Sequence, residues 1–355
     1  MSYYVNEDIK NTLRIFPEQG RYDYYRFDMN ENPEGLPKGF VDSVLKEITP
    51  EFLTIYPEPD RFIRRYVEYV PDISFENVLP TNGTDMAIRY LLETFGEKGK
   101  EVVTVSPSFE MYWVNCSLLG LKHVPVAYEK DLTIKIEKIV EAITEDTRIV
   151  VLLNPNNPVG NVYTEEELEQ VLKRARQVGA VVIIDEAYHY FYDKTFLKHA
   201  VSEENVIVLR TFSKVMSLAA CRIGVIISNP KIIHYVKNAK LTFDVNAIAL
   251  LFAERLLERP ELIEEQIQKE KEGKQYTLDT LRAHGYWCRD CMGNFIFVKP
   301  NHNAKEIADR LKQEKKILVH SYGNELLKDY IRVSIGSKEA MKIFLEGFLE
   351  VDKIS

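Results

Sequence analysis

The chain has 355 residues, of which 45% are hydrophobic and 28% are charged, and its net charge is −8 at pH 7. This length allows a large core and two domains, and the composition is that of a soluble globular protein. The negative charge argues against binding to nucleic acid or to anionic membranes, and no apolar run is long enough to span a bilayer.

The amino-terminal segment, residues 1–40, is predicted to be a polar and aromatic arm that joins a smaller domain. It contains no basic stretch followed by an apolar one, so no signal peptide is expected and a cytoplasmic location is predicted. Four cysteines in so long a chain suggest reduced thiols. Cys288 and Cys291 have metal-ligand spacing, but two further ligands are missing nearby, and no metal site is predicted.

Two turn-rich segments come early in the chain. Residues 28–35 combine amides and carboxyls, so Asn30 could line a polar site, although an exposed turn explains the composition as well. Tyr56 begins a bend fixed by prolines, and its ring could reach a site or simply cover the chain.

A helix is predicted to follow Gly83, a residue that would let a ligand approach the backbone. Thr84 or Asp85 would cap this helix. Free amides at a helix N-terminus bind phosphate well, whereas the Asp85 carboxylate would repel it. We therefore expect any phosphate contact here to come from main-chain N–H groups, and a plain N-cap remains compatible with the same pattern.

Strands and helices then alternate, which predicts a mostly parallel α/β sheet whose ligands bind beyond the carboxyl ends of the strands. The predicted strands are 101–105, 149–153, 181–184 and 206–209, and the helices between them include 109–119 and 164–177. Beyond about residue 240 the pattern becomes helical, with short strands and a closing helix at 338–351. The predicted units are the arm 1–40, a large domain 41–245 and a small α+β domain 246–355.

A lysine lies where the strand at 206–209 ends. An ammonium group at the mouth of a buried sheet is costly to desolvate unless it is paired or used covalently, and a Schiff base to pyridoxal 5′-phosphate is one such use for Lys214. The hydroxyls of Thr211 and Ser213, with the guanidinium of Arg222, would then bind the phosphate. An ordinary strand–turn–strand with surface polar residues is the alternative.

Polar residues also follow the neighbouring strands. Asp185 comes directly after four apolar residues, so its carboxylate needs a cation, and a protonated pyridine nitrogen would serve. Tyr188 and Asn157 could bind the phenolic oxygen of the ring, and Phe109 could stack on it. Taken singly, these residues are also compatible with a helix cap, a turn and a core position.

The motifs Asn154-Pro155-x-Asn157-Pro158-x-Gly160, Asp185-Glu-Ala-Tyr188 and Ser213-Lys214-x8-Arg222-x-Gly224 resemble those of the fold-type I, class I/II aminotransferases. The nearest subgroup is that of the histidinol-phosphate aminotransferases. The resemblance covers nearly the whole chain and implies a large domain with a mostly parallel seven-stranded sheet between helices. It also implies a homodimer with shared active sites, small-molecule donors and acceptors, and no metal.

The same resemblance implies roles for individual residues. Lys214 would carry the cofactor and move the proton, Asp185 would pair with the pyridinium, and Arg332 would grip the carboxylate of the substrate. The phosphate would be bound by Gly83, Thr84, Asp85, Thr211, Ser213 and Arg222, helped by Tyr56 of the partner subunit.

Two positions depart from the subgroup. Phe109 stands where a tyrosine is frequent, and it keeps the stack without the hydroxyl. His320 stands where an arginine is frequent, so an anionic substrate group would be bound more weakly and with pH dependence. A decarboxylase acting on a phosphorylated amino acid and a non-catalytic regulator that binds pyridoxal phosphate remain as alternatives.

Overall fold

The protein is described from a computed structural model that covers residues 3–12 and 19–353. Residues 1–2 and 13–18 of the predicted arm, and residues 354–355, lie outside the described part. The strands within that part are β1 Tyr25–Phe27, β2 Val78–Thr81, β3 Glu101–Ser106, β4 Lys122–Ala127, β5 Thr147–Leu153, β6 Val181–Asp185, β7 Val206–Thr211, β8 Gly224–Ser228, β9 Trp287–Gly293, β10 Phe295–Lys299, β11 Ile317–Ser321 and β12 Ile331–Ser334.

Helices separate most of these strands, and none that the structure describes is both long and apolar enough to cross a membrane. The α-helices are α1 Glu7–Lys10, α2 Lys38–Leu45, α3 Asp60–Tyr69, α4 Gly83–Phe95, α5 Met111–Leu119, α6 Ile136–Ala142, α7 Glu165–Val178, α8 Leu197–Ser202, α9 Pro230–Ala239, α10 Ala247–Leu257, α11 Pro260–Ala283, α12 Ala304–Lys315 and α13 Lys338–Val351.

The larger sheet has seven strands in the order β2-β8-β7-β6-β5-β3-β4, which confirms the predicted mostly parallel seven-stranded sheet. Only β8 runs antiparallel to its neighbours, β2 and β7. The central strands are buried on both faces: Val182 and Ile184 belong to one apolar cluster, and Ile183 to another on the opposite face. Helices therefore cover both faces, as continuous apolar strands require.

Two strands of this sheet were not predicted from the sequence. β2 has only four residues and contains Pro80, and β4 is an edge strand with Pro125 and little burial. Proline is confined to strand edges and ends because it donates no hydrogen bond to the ladder, so its presence hides such strands from a search for apolar runs.

The smaller sheet has the order β1-β11-β12-β10-β9. β1 pairs in parallel with β11, so the amino-terminal segment is part of a sheet otherwise built from the last third of the chain. A separate apolar cluster, which includes Ile331, Val333 and Phe344, lies under this sheet. The domain limits 41–245 and 246–355 stay a prediction, and α10, just beyond that boundary, packs on α3 and on the core of the larger sheet.

Candidate active site

Asp185 is the last residue of β6, and its side chain is buried at the carboxyl end of the larger sheet. Its carboxylate accepts hydrogen bonds from the Tyr112 hydroxyl at 2.9 Å and from the Ala187 amide at 3.1 Å. Burial raises the pKa of Asp185 to about 6 despite these two donors. Among the described residues it has no ion pair, so this buried carboxylate lacks the cation that its desolvation calls for.

Tyr112 is a site residue that the sequence analysis missed. It lies in α5, is fully buried, and was indistinguishable from the apolar residues of that helix. The one available indication was its place three residues after Phe109, since a helix turn would bring both toward the same side. The helix begins at Met111 rather than at Phe109, and Phe109 is half-buried against the apolar cluster that contains Tyr112.

Lys214 follows β7, and its ammonium donates to the backbone carbonyl of Met29 at 2.9 Å. The same nitrogen lies 5.9 Å from the centre of the Tyr188 ring. No carboxylate among the described residues forms an ion pair with it, so the lysine is positioned by neutral groups.

Gly83, Ser213, Asp85 and Arg222 meet at the start of α4. Gly83 has a left-handed φ of +70°, and a Cβ built on it would lie 2.7 Å from Nη2 of Arg222. The Arg222 guanidinium donates to Ser213 Oγ at 3.4 Å and to Asp85 at 2.9 Å. This cradle combines a cation, a hydroxyl and the free amides of a helix N-terminus, which are the groups that bind phosphate.

The structure corrects two expectations about this cradle: the predicted N-cap was wrong, and the account of Asp85 was incomplete. The N-cap of α4 is Asn82, not Thr84 or Asp85, and its side chain makes no capping hydrogen bond. The Asp85 carboxylate is paired with Arg222, so it partly balances the cation besides repelling an anion. Thr211 is buried behind the cradle, where its hydroxyl accepts the Ser213 amide at 3.1 Å.

Asn157, Tyr188 and Asn30 form the wall toward the smaller sheet. The Asn157 carbonyl oxygen accepts a hydrogen bond from Arg332 Nη1 at 2.6 Å. The Tyr188 hydroxyl accepts one from the Asn30 amide at 2.9 Å, which leaves the phenolic proton free to be donated. Asn30 is buried, its backbone N–H donates to the Ser334 hydroxyl, and that hydroxyl donates to its side-chain oxygen. These bonds fix the Asn30 side chain, which in turn positions Tyr188.

His320 and Arg332 are directly paired across β11 and β12, so they lie on the same face of the smaller sheet. The His320 ring packs edge to face on Tyr322, with ring centres 4.6 Å apart. Desolvation by the surrounding protein, followed by the charge of Arg332, lowers the pKa of His320 to about 4, although the side chain keeps access to solvent. The imidazole is therefore neutral above that pH and offers an anion one N–H rather than a charge.

Tyr56 is not brought into this group of residues. Its ring is 72% exposed and stacks on Phe243, with 4.4 Å between the ring centres and an angle of 16°.

Together these residues fit pyridoxal phosphate. The Asp185 carboxylate is buried without a cation among the described residues. A Cβ added to Gly83 would fill the cradle. Lys214 forms a hydrogen bond to a backbone carbonyl and no ion pair with a described carboxylate. The charged ring nitrogen of the cofactor would pair with Asp185, its phosphate would bind in the cradle, and its aldehyde would react with Lys214.

The model of the family "aminotransferase class I and II" matches residues 28–348. The chain belongs to the class I and II aminotransferases. This membership confirms pyridoxal phosphate as the cofactor and an aminotransferase as the class of enzyme. The substrates of such an aminotransferase are small amino and oxo compounds.

The resemblance to the histidinol-phosphate subgroup is also confirmed. A histidinol-phosphate aminotransferase of Clostridium novyi is 31% identical and covers 94% of this chain and 93% of its own length. That of Thermotoga maritima is 32% identical, with 96% and 97% covered. A structure of the Sinorhizobium meliloti enzyme with pyridoxal 5′-phosphate superposes with a TM-score of 0.89 at 21% identity, covering 99% of this aminotransferase and 98% of that chain, which shows the shared fold.

Proposed function

We propose that this aminotransferase moves an amino group between an amino acid and an oxo acceptor that carries a phosphate or a carboxylate, similar to histidinol phosphate. The proposal rests on the burial of Arg332 and on the lack of an ion pair between its guanidinium and any carboxylate of the described residues. The family relatives reported above bear the name of histidinol-phosphate aminotransferase, which supports a phosphorylated substrate and gives no support to the decarboxylase.

Arg332 is 7% exposed, and its hydrogen bonds go to neutral acceptors: the Asn157 side chain and the Asp28 backbone carbonyl. Its Nε is buried without a partner. In the part of the chain that the structure describes, no carboxylate forms an ion pair with it. A buried guanidinium without a counterion is costly, and an anionic substrate group would remove that cost. Arg332 could instead have formed a structural salt bridge, but no carboxylate among the described residues is placed to form one.

The other residues have roles that follow from their positions. Bound pyridoxal phosphate supplies an aldehyde that receives the amino group and a ring that withdraws electrons. In our proposal Arg222, Ser213, Thr211 and the amides after Gly83 hold the phosphate. Asp185 keeps the ring nitrogen protonated, Tyr188 and Asn157 bind the phenolic oxygen, and Phe109 covers the ring.

Lys214 would hold the aldehyde of the cofactor, and its amine would be the base that takes a proton from the substrate carbon and returns it. The Met29 carbonyl and the Tyr188 ring place the Lys214 nitrogen at this position.

A screen of amino donors against phosphorylated and plain oxo acceptors tests the function. We expect keto product without carbon dioxide, and higher kcat/KM for substrates with a phosphate or a second carboxylate than for neutral analogues of the same length. Release of carbon dioxide in step with turnover would contradict transamination. Equal efficiency with neutral and anionic substrates would contradict the proposed substrate class.

Arg332→Lys should lower kcat/KM for anionic substrates by roughly 2–4 kcal/mol, about two to three decades, because an ammonium lacks the planar fork that matches an oxyanion. The melting temperature should barely move. Steady-state kinetics with anionic and neutral substrates, beside thermal unfolding, separate the two effects. A large loss of stability with unchanged efficiency would make Arg332 a structural residue.

We also propose a homodimer with shared active sites. The Tyr56–Phe243 stack joins two exposed segments into one apolar patch, formed by Leu53, Ile55, Tyr56, Leu241 and Phe243. The next residue, Asp244, accepts a hydrogen bond from the Asn82 amide at 3.4 Å, so the patch adjoins the phosphate cradle. Apolar patches of this kind mark contact surfaces, and a second copy seated here could bring its Tyr56 to the phosphate.

Mixing a Tyr56→Phe chain with a Lys214→Ala chain tests the sharing. If the partner supplies Tyr56, exchanged dimers contain one wild-type site, and activity should exceed the sum of the two parents. Self-mixed parents are the control for the exchange procedure. A monomer by light scattering with full activity, or no gain after exchange, would refute shared sites. The cytoplasmic location likewise remains part of the proposal, testable by cell fractionation.

A further inference from the structure

Glu270 is a buried acid that the reaction does not use. It lies in α11, is fully buried, and its Oε1 accepts a hydrogen bond from Gln266 at 3.1 Å. The helix is held close to the backbone that follows β12, because a Cβ on Gly273 would lie 2.0 Å from the Gly336 carbonyl oxygen. The turn of α11 that carries Glu270 therefore lies against the backbone that follows β12.

Two buried acceptors at this place lack donors. Among the described residues, Oε2 of Glu270 and Oδ1 of Asn294 have no hydrogen-bond partner, and Asn294 is one of the neighbours that act on the Glu270 carboxyl. Turning the Asn294 amide over would point its NH2 at Glu270, but that NH2 already donates to the Asn30 carbonyl at 3.1 Å. The turned amide would place Oδ1 of Asn294 against the backbone carbonyl oxygen of Asn30, so one acceptor would still have no donor.

We propose that Glu270 is a neutral carboxylic acid whose proton is donated to Asn294, and that it positions the active-site residue Tyr188 through Asn294 and Asn30. One proton on Oε2 satisfies both orphan acceptors at once. The donors then run in one direction: Glu270 to the Asn294 side chain, Asn294 to the Asn30 carbonyl, and the Asn30 amide to the Tyr188 hydroxyl. All four residues are buried, so the chain of donors runs through the interior of the protein, where a hydrogen bond is stronger than in water.

The direction of these hydrogen bonds determines where the Tyr188 hydroxyl can donate its proton. Because Asn30 fills an acceptor position of the phenol, the Tyr188 proton is directed outward, toward the place proposed for the phenolic oxygen of the cofactor. This last step rests on the proposed role of Tyr188, whereas the protonation of Glu270 does not.

The charges near Glu270 favour its neutral form. Burial, together with the Glu34 carboxylate, raises the pKa of Glu270 to about 8, against the lowering effect of its Gln266 and Asn294 contacts. The adjacent cations of α11 are committed elsewhere, Lys269 to Glu265 and Lys274 to Asp290.

Glu270→Gln and Glu270→Met form the matched test, because glutamine keeps a donor for Asn294 and methionine fills the space without one. Infrared difference spectra of wild type and Glu270→Gln at pH 6 should show the carbonyl band of one protonated carboxyl that only the wild type contains. The pH at which the visible absorption of the bound cofactor changes should shift in Glu270→Met and return to the wild-type value in Glu270→Gln.

Stability against pH gives an independent measure. The folded pKa lies above the ordinary value of 4.5, so the wild type should lose stability relative to Glu270→Gln as pH rises from about 4.5 to about 8, and the difference should then level off. Absence of the infrared band, or a pH-independent difference, would overturn the neutral acid. Equal cofactor titrations in the methionine and glutamine variants would overturn the positioning role. If Glu270→Met fails to fold, Asn294→Leu breaks the same chain one link further on and replaces it in the titration.

Discussion

Lys214→Ala should abolish transamination, with the proton transfer alone accounting for roughly 10²–10⁴-fold of the loss. The lysine nitrogen is the nucleophile that would carry the cofactor and the base that would move the substrate proton, and alanine can do neither. The fold should persist, because the lysine contributes one hydrogen bond to the Met29 carbonyl and no ion pair among the residues that the structure describes.

Borohydride reduction of the holoenzyme followed by peptide mapping checks the same assignment without a rate measurement. We expect the reduced cofactor on Lys214, and no adduct in Lys214→Ala. The exposed Lys173 of α7 is a matched control, since its replacement by alanine should change neither labelling nor rate. An adduct on another lysine, or none after reconstitution with pyridoxal phosphate, would remove Lys214 from the site.

Asp185→Asn should reduce turnover by roughly 2–4 kcal/mol, about two to three decades, because an amide cannot keep the ring nitrogen protonated. The stability of the apoprotein should rise with the same substitution, although turnover falls. Burial raises the pKa of Asp185 to about 6 from 3.8, so the folded protein loses stability as pH rises through that window.

Asparagine removes this cost, its carbonyl oxygen can accept from the Ala187 amide, and its NH2 can donate to the Tyr112 hydroxyl oxygen, which reverses that hydrogen bond. Apo Asp185→Asn should therefore be at least as stable as apo wild type above pH 6, and the order should reverse when cofactor is added. Thermal unfolding with and without pyridoxal phosphate, beside single-turnover rates, measures both. Near-wild-type turnover, or a destabilised apoprotein, would contradict the role of a carboxylate waiting for a cation.

The central sheet was predictable because burial on both faces leaves an unmistakable apolar run. β5, β6 and β7 follow from that pattern, and the parallel arrangement then places Asp185 and Lys214 at one edge. The direction of Arg332 follows from a different pattern, the alternation of apolar and polar residues over 330–334, since the buried Ile331 and Val333 point to the opposite face.

What escaped prediction depends on contacts between distant segments. Tyr112 has the same pattern as a core aromatic residue, and only the position of α5 against β6 shows its hydroxyl at Asp185. Residues 28–35 could be an exposed turn by composition, and only the pairing of β1 with β11 and the bond of Asn30 to Ser334 show that they are built into the interior. Similarly, the loss of charge on His320 follows from its neighbours rather than from its own identity.

The pairing of β1 with β11 also constrains when the enzyme can become active during its synthesis. Met29 and Asn30 leave the ribosome early, but the strands that hold them in place, β11 and β12, end at Ser321 and Ser334. The nascent chain therefore carries Lys214, the proposed catalytic lysine, for more than a hundred residues before the carbonyl that positions it is fixed. Contacts of such long sequence separation form late, since their loop entropy must be overcome first. The final placement of the Lys214 nitrogen is accordingly a late event in the synthesis of the chain.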